Sequence, residues 1–401
     1  MQYRKFGKLD WNGSALGFGA MRLPQVGTDR NSPIDEAEAI RIMRYAIDNG
    51  VNYVDTAFPY AMGDSERVVG KALQNGYRQK VRLATKLSSF VLKSADQFES
   101  YFNSQLKRLQ TQKIDYYLLH GLNADNWKQL KEWKAIQFVE AKIAEGKIGH
   151  VGFSFHDQYN VFKEIIDYYD NWTFCQLQYN YMDENNQAGR KGLEYAAGKG
   201  LAVVIMEPLR GGQLARTPPP AVAKIWEQNG RQRSRVEWAL DWLWNQEAVS
   251  VVLSGMSNME QVVQNVTYAG HSGVGMLTSE DMSLFRKVMD AYQSLAPIPC
   301  TGCNYCQPCP NNIAIPRIFE IYNEATVNED PRAAHSYSGG PGGLKEEQRA
   351  NHCLECGECV KVCPQKIDIP SQLKKVHAEL SRFRGPPPGP PPGSNVSFEE
   401  K

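Results

Sequence analysis

Up to residue 296, short apolar runs rich in β-branched residues alternate with longer stretches in which apolar residues recur every three or four positions. The short runs are typical of buried strands, and the longer stretches are typical of helices that pack on a sheet. The predicted strands cover residues 15–21, 51–57, 81–87, 116–120, 148–155, 174–179, 201–207 and 250–256, and the clearest helices cover 35–48, 65–74, 95–109, 127–144 and 233–245. Eight strands alternating with helices predict the α/β class and a closed (β/α)8 TIM barrel.

Polar residues collect at the ends of the predicted strands rather than within them, at Asp55, Lys86, His120, Ser154 and Glu207. In a (β/α)8 barrel the carboxyl ends of the strands share one face, and that face carries the active site. We therefore expect these side chains to lie together at one end of the barrel.

The segment before the first predicted strand contains the pair Asn12-Gly13, which favours tight turns between antiparallel strands. It predicts a short hairpin over residues 3–13. Because the carboxyl ends of the strands form the active-site face, we expect this hairpin to cap the opposite end of the barrel.

The pattern changes around Pro297 and Pro299, where a cysteine-rich segment begins. We place a domain boundary there, so that residues 1–296 form the barrel and residues 297–384 form a small, mostly α-helical domain. Residues 385–401 are rich in proline and glycine, which favours polyproline II structure or disorder. This tail is predicted to be a solvated extension, with a docking segment for a partner protein as the alternative.

The composition is that of a folded protein with nearly balanced charge. Its 401 residues include 45 Lys and Arg against 44 Asp and Glu, so no excess positive charge favours nucleic acid or an anionic membrane. The N-terminal segment lacks the apolar core of a signal peptide, and no uninterrupted apolar run reaches the roughly 18 residues of a membrane span. We expect a cytoplasmic protein that acts on a small molecule, without a nucleic-acid or membrane partner.

Eight of the nine cysteines form two tight clusters between residues 300 and 363. In a long chain without a signal peptide, this spacing favours metal-bound thiolates over a disulfide framework. The second cluster is Cys353-x2-Cys356-x2-Cys359-x3-Cys363-Pro364. This is the spacing of a bacterial ferredoxin site, so it predicts a 4Fe-4S cluster in a ferredoxin-like domain.

The first cluster, Cys300-x2-Cys303-x2-Cys306-x2-Cys309-Pro310, has one residue fewer before its last cysteine. It predicts a second 4Fe-4S cluster, and zinc is the alternative at either site because paired C-x2-C motifs also bind zinc. In two-cluster ferredoxins the fourth cysteine of each run binds the other cluster. By that resemblance, the ligand sets are Cys300, Cys303, Cys306 and Cys363 for one cluster, and Cys353, Cys356, Cys359 and Cys309 for the other.

Four residues in or just after predicted strands could form an acid-catalysis set: Asp55, Tyr60, Lys86 and His120. A phenol has a pKa of about 10, and a neighbouring ammonium stabilises its phenolate and lowers that pKa. A carboxylate can hold the ammonium in place, and a histidine beside the phenol can orient a substrate carbonyl. Each residue taken alone also has a structural interpretation, as a surface aromatic, a charge at the barrel mouth, its ion-pair partner or a core histidine.

The motifs around these residues are Asp55-Thr56-Ala57-x2-Tyr60, Thr85-Lys86 and Leu118-Leu119-His120. Their order and context resemble the catalytic tetrad of the aldo/keto reductases. Further matches are Leu16-Gly17-Phe18-Gly19-Ala20-Met21, Gly63-x2-Glu66-x3-Gly70, Glu145-Gly146-Lys147-Ile148 and Pro208-Leu209-Arg210-Gly211-Gly212. The resemblance covers roughly residues 1–295, and fusion of such a barrel to a cysteine module is a known branch of the family.

This resemblance implies hydride transfer from NADPH or NADH to an aldehyde or ketone. Tyr60 would donate the proton, Lys86 and Asp55 would adjust the pKa of Tyr60, and His120 would orient the carbonyl. The implied cofactor contacts are Gly19, Met21, Ser154 and Gln176 at the nicotinamide, Pro208, Leu209, Arg210 and Gly212 along the pyrophosphate, and Gly255, Ser257, Gln261 and Asn265 at the adenosine.

Two features depart from the family pattern. Ser154-Phe155-His156 stands where the family often has Ser-Asn, so one carboxamide ligand is missing, and His156 is either a second proton donor or a structural residue. The segment 255–265 contains no Lys or Arg, although a 2'-phosphate normally pairs with a cation. Arg210 is the candidate cation, and we expect NADPH rather than NADH on family grounds.

The two predicted cofactors differ in electron count, because a 4Fe-4S cluster transfers single electrons and a nicotinamide transfers a hydride. FMN could join them in the barrel mouth, although no motif specifies a flavin site. The first hypothesis is an oxidoreductase whose clusters exchange electrons with a ferredoxin-like or flavoprotein partner. The second is an NADPH-dependent carbonyl reductase whose clusters only stabilise the C-terminal domain. The third is a non-catalytic electron carrier or redox sensor, against which the complete tetrad argues.

Overall fold

The computed structural model describes residues 1–27, 32–300, 302, 305–327, 333–338 and 343–382. The predicted ligand Cys303 and the proline-rich tail 385–401 lie outside the described residues. The described chain forms two compact units, residues 1–215 with 233–278 and residues 216–232 with 279–382.

The strands of the first unit are β1 (Tyr3–Lys5), β2 (Asn12–Ser14), β3 (Leu16–Gly19), β4 (Tyr53–Asp55), β5 (Arg82–Leu87), β6 (Ile114–Leu122), β7 (Ile148–Phe155), β8 (Phe174–Gln178), β9 (Ala202–Met206) and β10 (Val251–Ser254). Strands β3 to β10 are parallel, and each pairs with its neighbours in sequence. The barrel closes where β10 pairs with β3, with Val252 opposite Leu16. The predicted (β/α)8 barrel is therefore confirmed.

The helices within the described residues are α1 (Glu36–Asp48), α2 (Ser65–Ala72), α3 (Phe98–Arg108), α4 (Ala124–Glu132), α5 (Ala135–Ala144), α6 (Tyr159–Tyr168), α7 (Gly189–Gly198), α8 (Pro220–Gln228), α9 (Arg235–Trp244), α10 (Met259–His271), α11 (Ser279–Ser294), α12 (Ile315–Val327), α13 (Ala333–Tyr337), α14 (Glu358–Lys361) and α15 (Ile369–Leu380). The single helix predicted over 127–144 is wrong. Lys134 has a φ of 56°, a left-handed conformation that cannot continue an α-helix, so α4 and α5 are separate. Among the described residues, no helix has the length and apolar character needed to cross a membrane.

The N-terminal hairpin is confirmed, because β1 and β2 pair antiparallel. The Asn12-Gly13 pair lies within β2 rather than in the turn, which spans residues 6–11. In that turn Phe6 is fully buried, with its ring centroid 4.9 Å from that of Tyr116 and 5.6 Å from that of Phe174. Both partners lie near the amino ends of their strands, so the hairpin caps the end of the barrel opposite the active-site face.

The second unit is helical. Helices α8 and α11 pack through an edge-to-face contact between Trp226 and Phe285. Helices α12 and α15 supply most of a separate apolar core, whose fully buried members include Ile318, Phe319 and Leu373. The predicted mostly α-helical C-terminal domain is confirmed, and its small core lies next to the cysteine loops.

Candidate active site

The predicted catalytic residues lie together at the carboxyl ends of β4, β5 and β6. Lys86 is fully buried, and its Nζ donates to Oδ1 of Asp55 at 2.5 Å and to the carbonyl oxygen of Thr56 at 2.9 Å. The same Nζ lies 4.9 Å from the centroid of the Tyr60 ring. The Tyr60 and His120 rings meet edge to face with centroids 5.8 Å apart. The structure therefore brings all four predicted residues into one contiguous group.

Burial and charge act in opposite directions on Tyr60. Burial raises the pKa of its phenol, Lys86 lowers it by a smaller amount, and Asp55 raises it again. Lys86 thus acts in the direction expected from the sequence, but burial outweighs it and the net pKa is raised. Tyr60 consequently keeps its proton at neutral pH, as a proton donor must.

The Lys86 ammonium is held in its charged form. Burial alone would lower the pKa of Lys86, but the opposing effects of Asp55 and Tyr60 outweigh burial and raise it. A buried cation next to a phenol stabilises the phenolate that proton donation leaves behind.

His120 is held as a neutral imidazole. Burial lowers the pKa of His120 well below its usual value, and the charges of Lys86 and His156 lower it further. Its Nδ1 lies 2.5 Å from Oγ of Ser88. The ring centroids of His120 and Phe90 lie 5.3 Å apart, and Phe90 is 44% exposed. The group therefore has an apolar, accessible border on the side of Phe90, where a substrate can approach.

A buried polar network behind β5 positions the backbone of Lys86. Gln105 on α3 donates from Nε2 to the Lys86 carbonyl oxygen at 3.0 Å and to Oε1 of Glu66 at 2.8 Å. Thr85 donates to the same Glu66 oxygen at 2.6 Å. Neither Gln105 nor Ser88 was predicted from the sequence. Gln105 could have been, because a polar residue on the buried face of a helix usually has a hydrogen-bonding role.

The predicted nicotinamide ligands are buried and already engaged. Ser154 Oγ accepts a hydrogen bond from the Gly121 backbone N–H at 2.7 Å. Gln176 donates from Nε2 to Oδ2 of Asp55 at 2.9 Å, which connects the predicted carboxamide site to the tetrad. Phe155, which replaces the family's common asparagine, is fully buried against Phe162 with ring centroids 5.1 Å apart.

The other predicted nicotinamide contacts lie at the end of β3. Gly19 is the last residue of this strand, and a Cβ there would lie 3.3 Å from the Ser254 carbonyl oxygen. Met21 lies two residues later and is 58% exposed. Both residues are therefore placed at the barrel mouth, on the same face as the tetrad.

The predicted pyrophosphate segment, Pro208 to Gly212, follows β9. Arg210 pairs through Nε with Oδ2 of the buried Asp183 at 3.1 Å. The backbone at Gly212 has a φ of +94°, and Gly211 is also left-handed, so this loop turns tightly and presents its main chain. The carbonyl oxygen of Leu209 accepts a hydrogen bond from the backbone N–H of Gly212 at 2.9 Å.

Arg22 is a cation that the sequence interpretation overlooked. Its Nη1 donates to the Gly211 carbonyl oxygen at 3.0 Å. Its side chain also lies close to Gly255, since a Cβ placed on that glycine would be 3.5 Å from Cβ of Arg22. Arg22 thus lies next to both the pyrophosphate segment and the start of the adenosine segment. Its place directly after the Gly19-to-Met21 motif was the available signal.

The predicted adenosine residues divide into two groups. Ser257 donates from its backbone N–H to Oε1 of Gln261 at 2.8 Å, and both residues are exposed. Asn265 is 4% exposed and donates to Oγ of Ser254 at 3.0 Å. Ser257 and Gln261 are therefore accessible to a ligand, whereas Asn265 supports the strand end beneath them.

The cysteine loops lie on the core of the second unit. The described cysteines that pack against this core are Cys300, Cys306, Cys309, Cys353, Cys359 and Cys363, while Cys356 is exposed. Burial raises the pKa of the Cys359 thiol, and Cys353, Cys356 and Cys309 raise it further. Cys309 of the first run thus lies close enough to Cys359 of the second run to act on its thiol, an arrangement that fits a cluster ligand set shared between the runs. Within the described residues, no three metal-binding side chains converge tightly enough for a single ion.

Two family models match the chain over most of its length. The model for the aldo/keto reductase family matches residues 15–289, and the model for a 4Fe-4S dicluster domain matches residues 299–367. The cysteine segment is therefore an iron–sulfur domain of the 4Fe-4S type.

Curated relatives and solved structures match the barrel. An uncharacterized oxidoreductase of Bacillus subtilis, YqkF, is 30% identical over 298 residues, covering 67% of this chain and 91% of its own. L-galactose dehydrogenase of Arabidopsis thaliana is 26% identical and covers 66% and 87%. The structure of aldo-keto reductase AKR11C1 from Bacillus halodurans, in its holo form, has a TM-score of 0.60 at 31% identity, covering 72% of this chain and 96% of that chain. An aldo/keto reductase from Klebsiella pneumoniae in complex with NADP and acetate shares the fold, with a TM-score of 0.56 at 24% identity, covering 72% and 95%.

Proposed function

The chain belongs to the aldo/keto reductase family, and from this premise we propose that it reduces an aldehyde or ketone with NADPH or NADH, using Tyr60 as the proton donor. The observation that carries the proposal is the unbroken contact of Asp55, Lys86, Tyr60 and His120 at one end of the barrel. A scaffold without chemistry has no need to bury a lysine beside a tyrosine whose phenolate the lysine can stabilise.

Proton transfer follows from the arrangement of these side chains. A bound nicotinamide would supply the hydride to the carbonyl carbon. Tyr60 gives its phenolic proton to the carbonyl oxygen, and the Lys86 ammonium stabilises the resulting phenolate. Asp55 holds Lys86 in place, and neutral His120 donates a hydrogen bond that orients the carbonyl.

The cofactor site is assigned along the same face. Ser154 and Gln176 are the carboxamide ligands, and Phe155 contributes none because its ring is packed against Phe162. Arg22 and Arg210 supply positive charge near the phosphates, since each lies at the loop that follows β9. Arg22 also lies beside Gly255 at the start of the adenosine segment, and it favours NADPH over NADH because a 2'-phosphate normally pairs with a cation. Ser257 and Gln261 are assigned to the adenosine, with Gly255 beside Arg22 and Asn265 as support.

The C-terminal domain is proposed to hold two 4Fe-4S clusters, with the barrel within residues 1–296 and the cluster domain within 297–384. Its eight cysteines would supply four ligands to each cluster. We assign the clusters to electron exchange with a ferredoxin-like or flavoprotein partner. FMN in the barrel mouth is the group that could convert single electrons into a two-electron reduction.

A second function is favoured by one observation, the packing of six cysteines against the apolar core of the second unit. Metal binding at these loops would stabilise a core too small to be stable by itself. In that case the protein is an NADPH-dependent carbonyl reductase whose clusters take no part in turnover.

Two matched pairs of variants test these functions. Tyr60→Phe should abolish NADPH-linked carbonyl reduction. Tyr77→Phe should retain it, because the Tyr77 hydroxyl donates to Asp48 away from the site. Unchanged activity in Tyr60→Phe would remove Tyr60 from the mechanism. Cys356→Ala should stop turnover with a reduced ferredoxin if the clusters relay electrons and should spare it with NADPH if they are structural. Cys175→Ala, in the barrel core, is the cysteine control.

Metal content decides the nature of the cysteine sites. Anaerobic purification should give about eight irons with equal acid-labile sulfide per chain if two cubes are bound. Bleaching of the cluster absorption by NADPH would show that nicotinamide and clusters communicate, and no bleaching would favour structural clusters or a separate electron donor. Zinc in place of iron would overturn the cluster assignment.

A further inference from the structure

Ser88 is a buried serine two residues after Lys86, directly beyond the end of β5. Its Oγ lies 2.5 Å from Nδ1 of His120. Its backbone N–H donates to the Tyr101 hydroxyl at 3.4 Å, and that hydroxyl donates to the Lys86 carbonyl oxygen at 3.3 Å. The Tyr101 hydroxyl thus fixes the backbone of Ser88, and the Ser88 hydroxyl faces the imidazole of His120.

The direction of the hydrogen bond between Ser88 and His120 follows from the partners available. Ser88 has no exposed surface, and its Oγ makes a short hydrogen bond of 2.5 Å with Nδ1 of His120. The Tyr101 hydroxyl also interacts with the Ser88 side chain, but its oxygen already accepts the Ser88 backbone N–H. If Nδ1 donated to Oγ, the buried hydroxyl proton of Ser88 would have to compete with the Ser88 backbone N–H for the Tyr101 oxygen, which is costly. The serine hydroxyl therefore donates to Nδ1.

A neutral imidazole has one N–H, so the partner of one nitrogen decides what the other nitrogen does. When Nδ1 accepts from Ser88, the hydrogen of His120 is on Nε2. Burial, together with Lys86 and His156, keeps the pKa of His120 far below neutrality, so the imidazole is neutral and its tautomer matters. The opposite tautomer would present a lone pair from Nε2 and would repel a carbonyl oxygen.

We propose that Ser88 is a positioning residue that selects the Nε2–H tautomer of His120, so that the neutral imidazole donates a hydrogen bond to the oxygen of the carbonyl substrate. The substrate half of this inference rests on the proposed function. The tautomer half concerns two protein side chains and is tested without turnover.

The chain offers a matched control in the next residue. Ser89 is 1% exposed, and its Oγ has no hydrogen-bond partner within the described residues. Ser88→Ala and Ser89→Ala therefore remove the same atom from adjacent buried positions, but only Ser88→Ala removes a contact with His120. Ser88→Thr keeps the hydroxyl and serves as the rescue variant.

The tautomer is measured by long-range ¹H–¹⁵N correlation spectra of the full protein labelled with ¹⁵N-histidine, and His120→Gln identifies the signals of His120. The wild type, Ser89→Ala and Ser88→Thr should show protonated Nε2 and unprotonated Nδ1. Ser88→Ala should show a mixture of tautomers. The kcat of carbonyl reduction should fall about tenfold in Ser88→Ala, the effect of losing one hydrogen bond, and recover in Ser88→Thr.

A wild-type spectrum with protonated Nδ1 would overturn the proposal, as would a Ser88→Ala protein that matches Ser89→Ala in both spectrum and rate. If the spectra follow the expectation but no form of the protein reduces a carbonyl, the tautomer assignment stands and the proposed function fails. The two failures are therefore distinguishable.

Discussion

The Nζ atom of Lys86 lies 2.5 Å from Oδ1 of Asp55, and both side chains are removed from solvent, with exposed fractions of 0% and 4%. The second carboxylate oxygen of Asp55 accepts the Gln176 amide at 2.9 Å. Asp55 therefore connects Lys86 to Gln176 on β8, the strand proposed to contact the cofactor. This contact places an ion pair in a region of low dielectric constant, where it has consequences for stability and for chemistry.

Asp55→Asn should destabilise the protein strongly. The substitution removes the partner of a fully buried ammonium, and breaking a buried ion pair in this way costs about 3–5 kcal/mol. The measurement is the free energy of unfolding of the barrel in urea at pH 7, followed by tryptophan fluorescence.

Asp48→Asn is the matched surface control. Asp48 pairs with Lys80 at 2.7 Å, a similar distance, but the two side chains are 46% and 49% exposed. Solvent screens such a pair, so we expect little change in stability. Equal effects of the two substitutions would mean that Lys86 and Asp55 interact no more strongly than a surface pair.

The stability of the protein should fall in mild acid partly because of His120. Its folded-state pKa is far below the unfolded value of about 6.5, so below that pH the unfolded chain binds a proton that the folded chain excludes. The neutral, buried His120 therefore costs the folded state nothing above pH 6.5. Below that pH the free energy of unfolding falls, by up to about 1.4 kcal/mol per pH unit. His120→Gln should therefore reduce the difference in unfolding free energy between pH 7 and pH 5.5. His271→Gln, at the exposed end of α10, is the control, and an equal decline in both variants would contradict the prediction.

Arg22→Met should weaken the binding of NADPH about tenfold, because it removes a charge that lies beside the Gly211 carbonyl and close to Gly255. Fluorescence titration at two salt concentrations measures the effect, and the difference from wild type should shrink at high salt. Arg41→Met removes a cation that pairs with Glu38 on the exposed face of α1 and should leave binding unchanged. If Arg22→Met binds as wild type does, the phosphates lie elsewhere.

The barrel and its tetrad could be predicted from the sequence because their signals are local. Apolar runs of strand length recur, and each candidate catalytic residue lies near a strand end or in the loop after it, within a short motif. The break at Lys134 could not be predicted, since lysine favours helices and its left-handed conformation depends on the packing of α4 and α5.

Contacts between residues far apart in the chain also could not be predicted from the sequence. Ser88 meets His120 only because β5 and β6 pair with Lys86 opposite Leu118, a register that no local pattern specifies. The raised pKa of Tyr60 is a difference between burial and the charge of Lys86, and the extent of burial is known only from the folded chain.

The crossed assignment of cluster ligands predicts an unusual result for a pair of cysteine variants. Cys309 lies in the first run, yet it lies close enough to Cys359 to act on its thiol, together with Cys353 and Cys356. If Cys309 and Cys356 bind the same cube, Cys309→Ala and Cys356→Ala should each lose about four of about eight irons. The double variant should then also retain about four, because both substitutions remove the same cluster.

If each run instead bound its own cube, the two substitutions would remove different clusters and the double variant would hold almost no iron. Iron and sulfide counting on anaerobically purified single and double variants separates the two arrangements, because only the crossed one makes the losses non-additive. Cys175→Ala, in β8 of the barrel, should retain the wild-type iron content. The double variant thus tests the role of Cys309 directly, since its iron content is the quantity on which the two arrangements disagree.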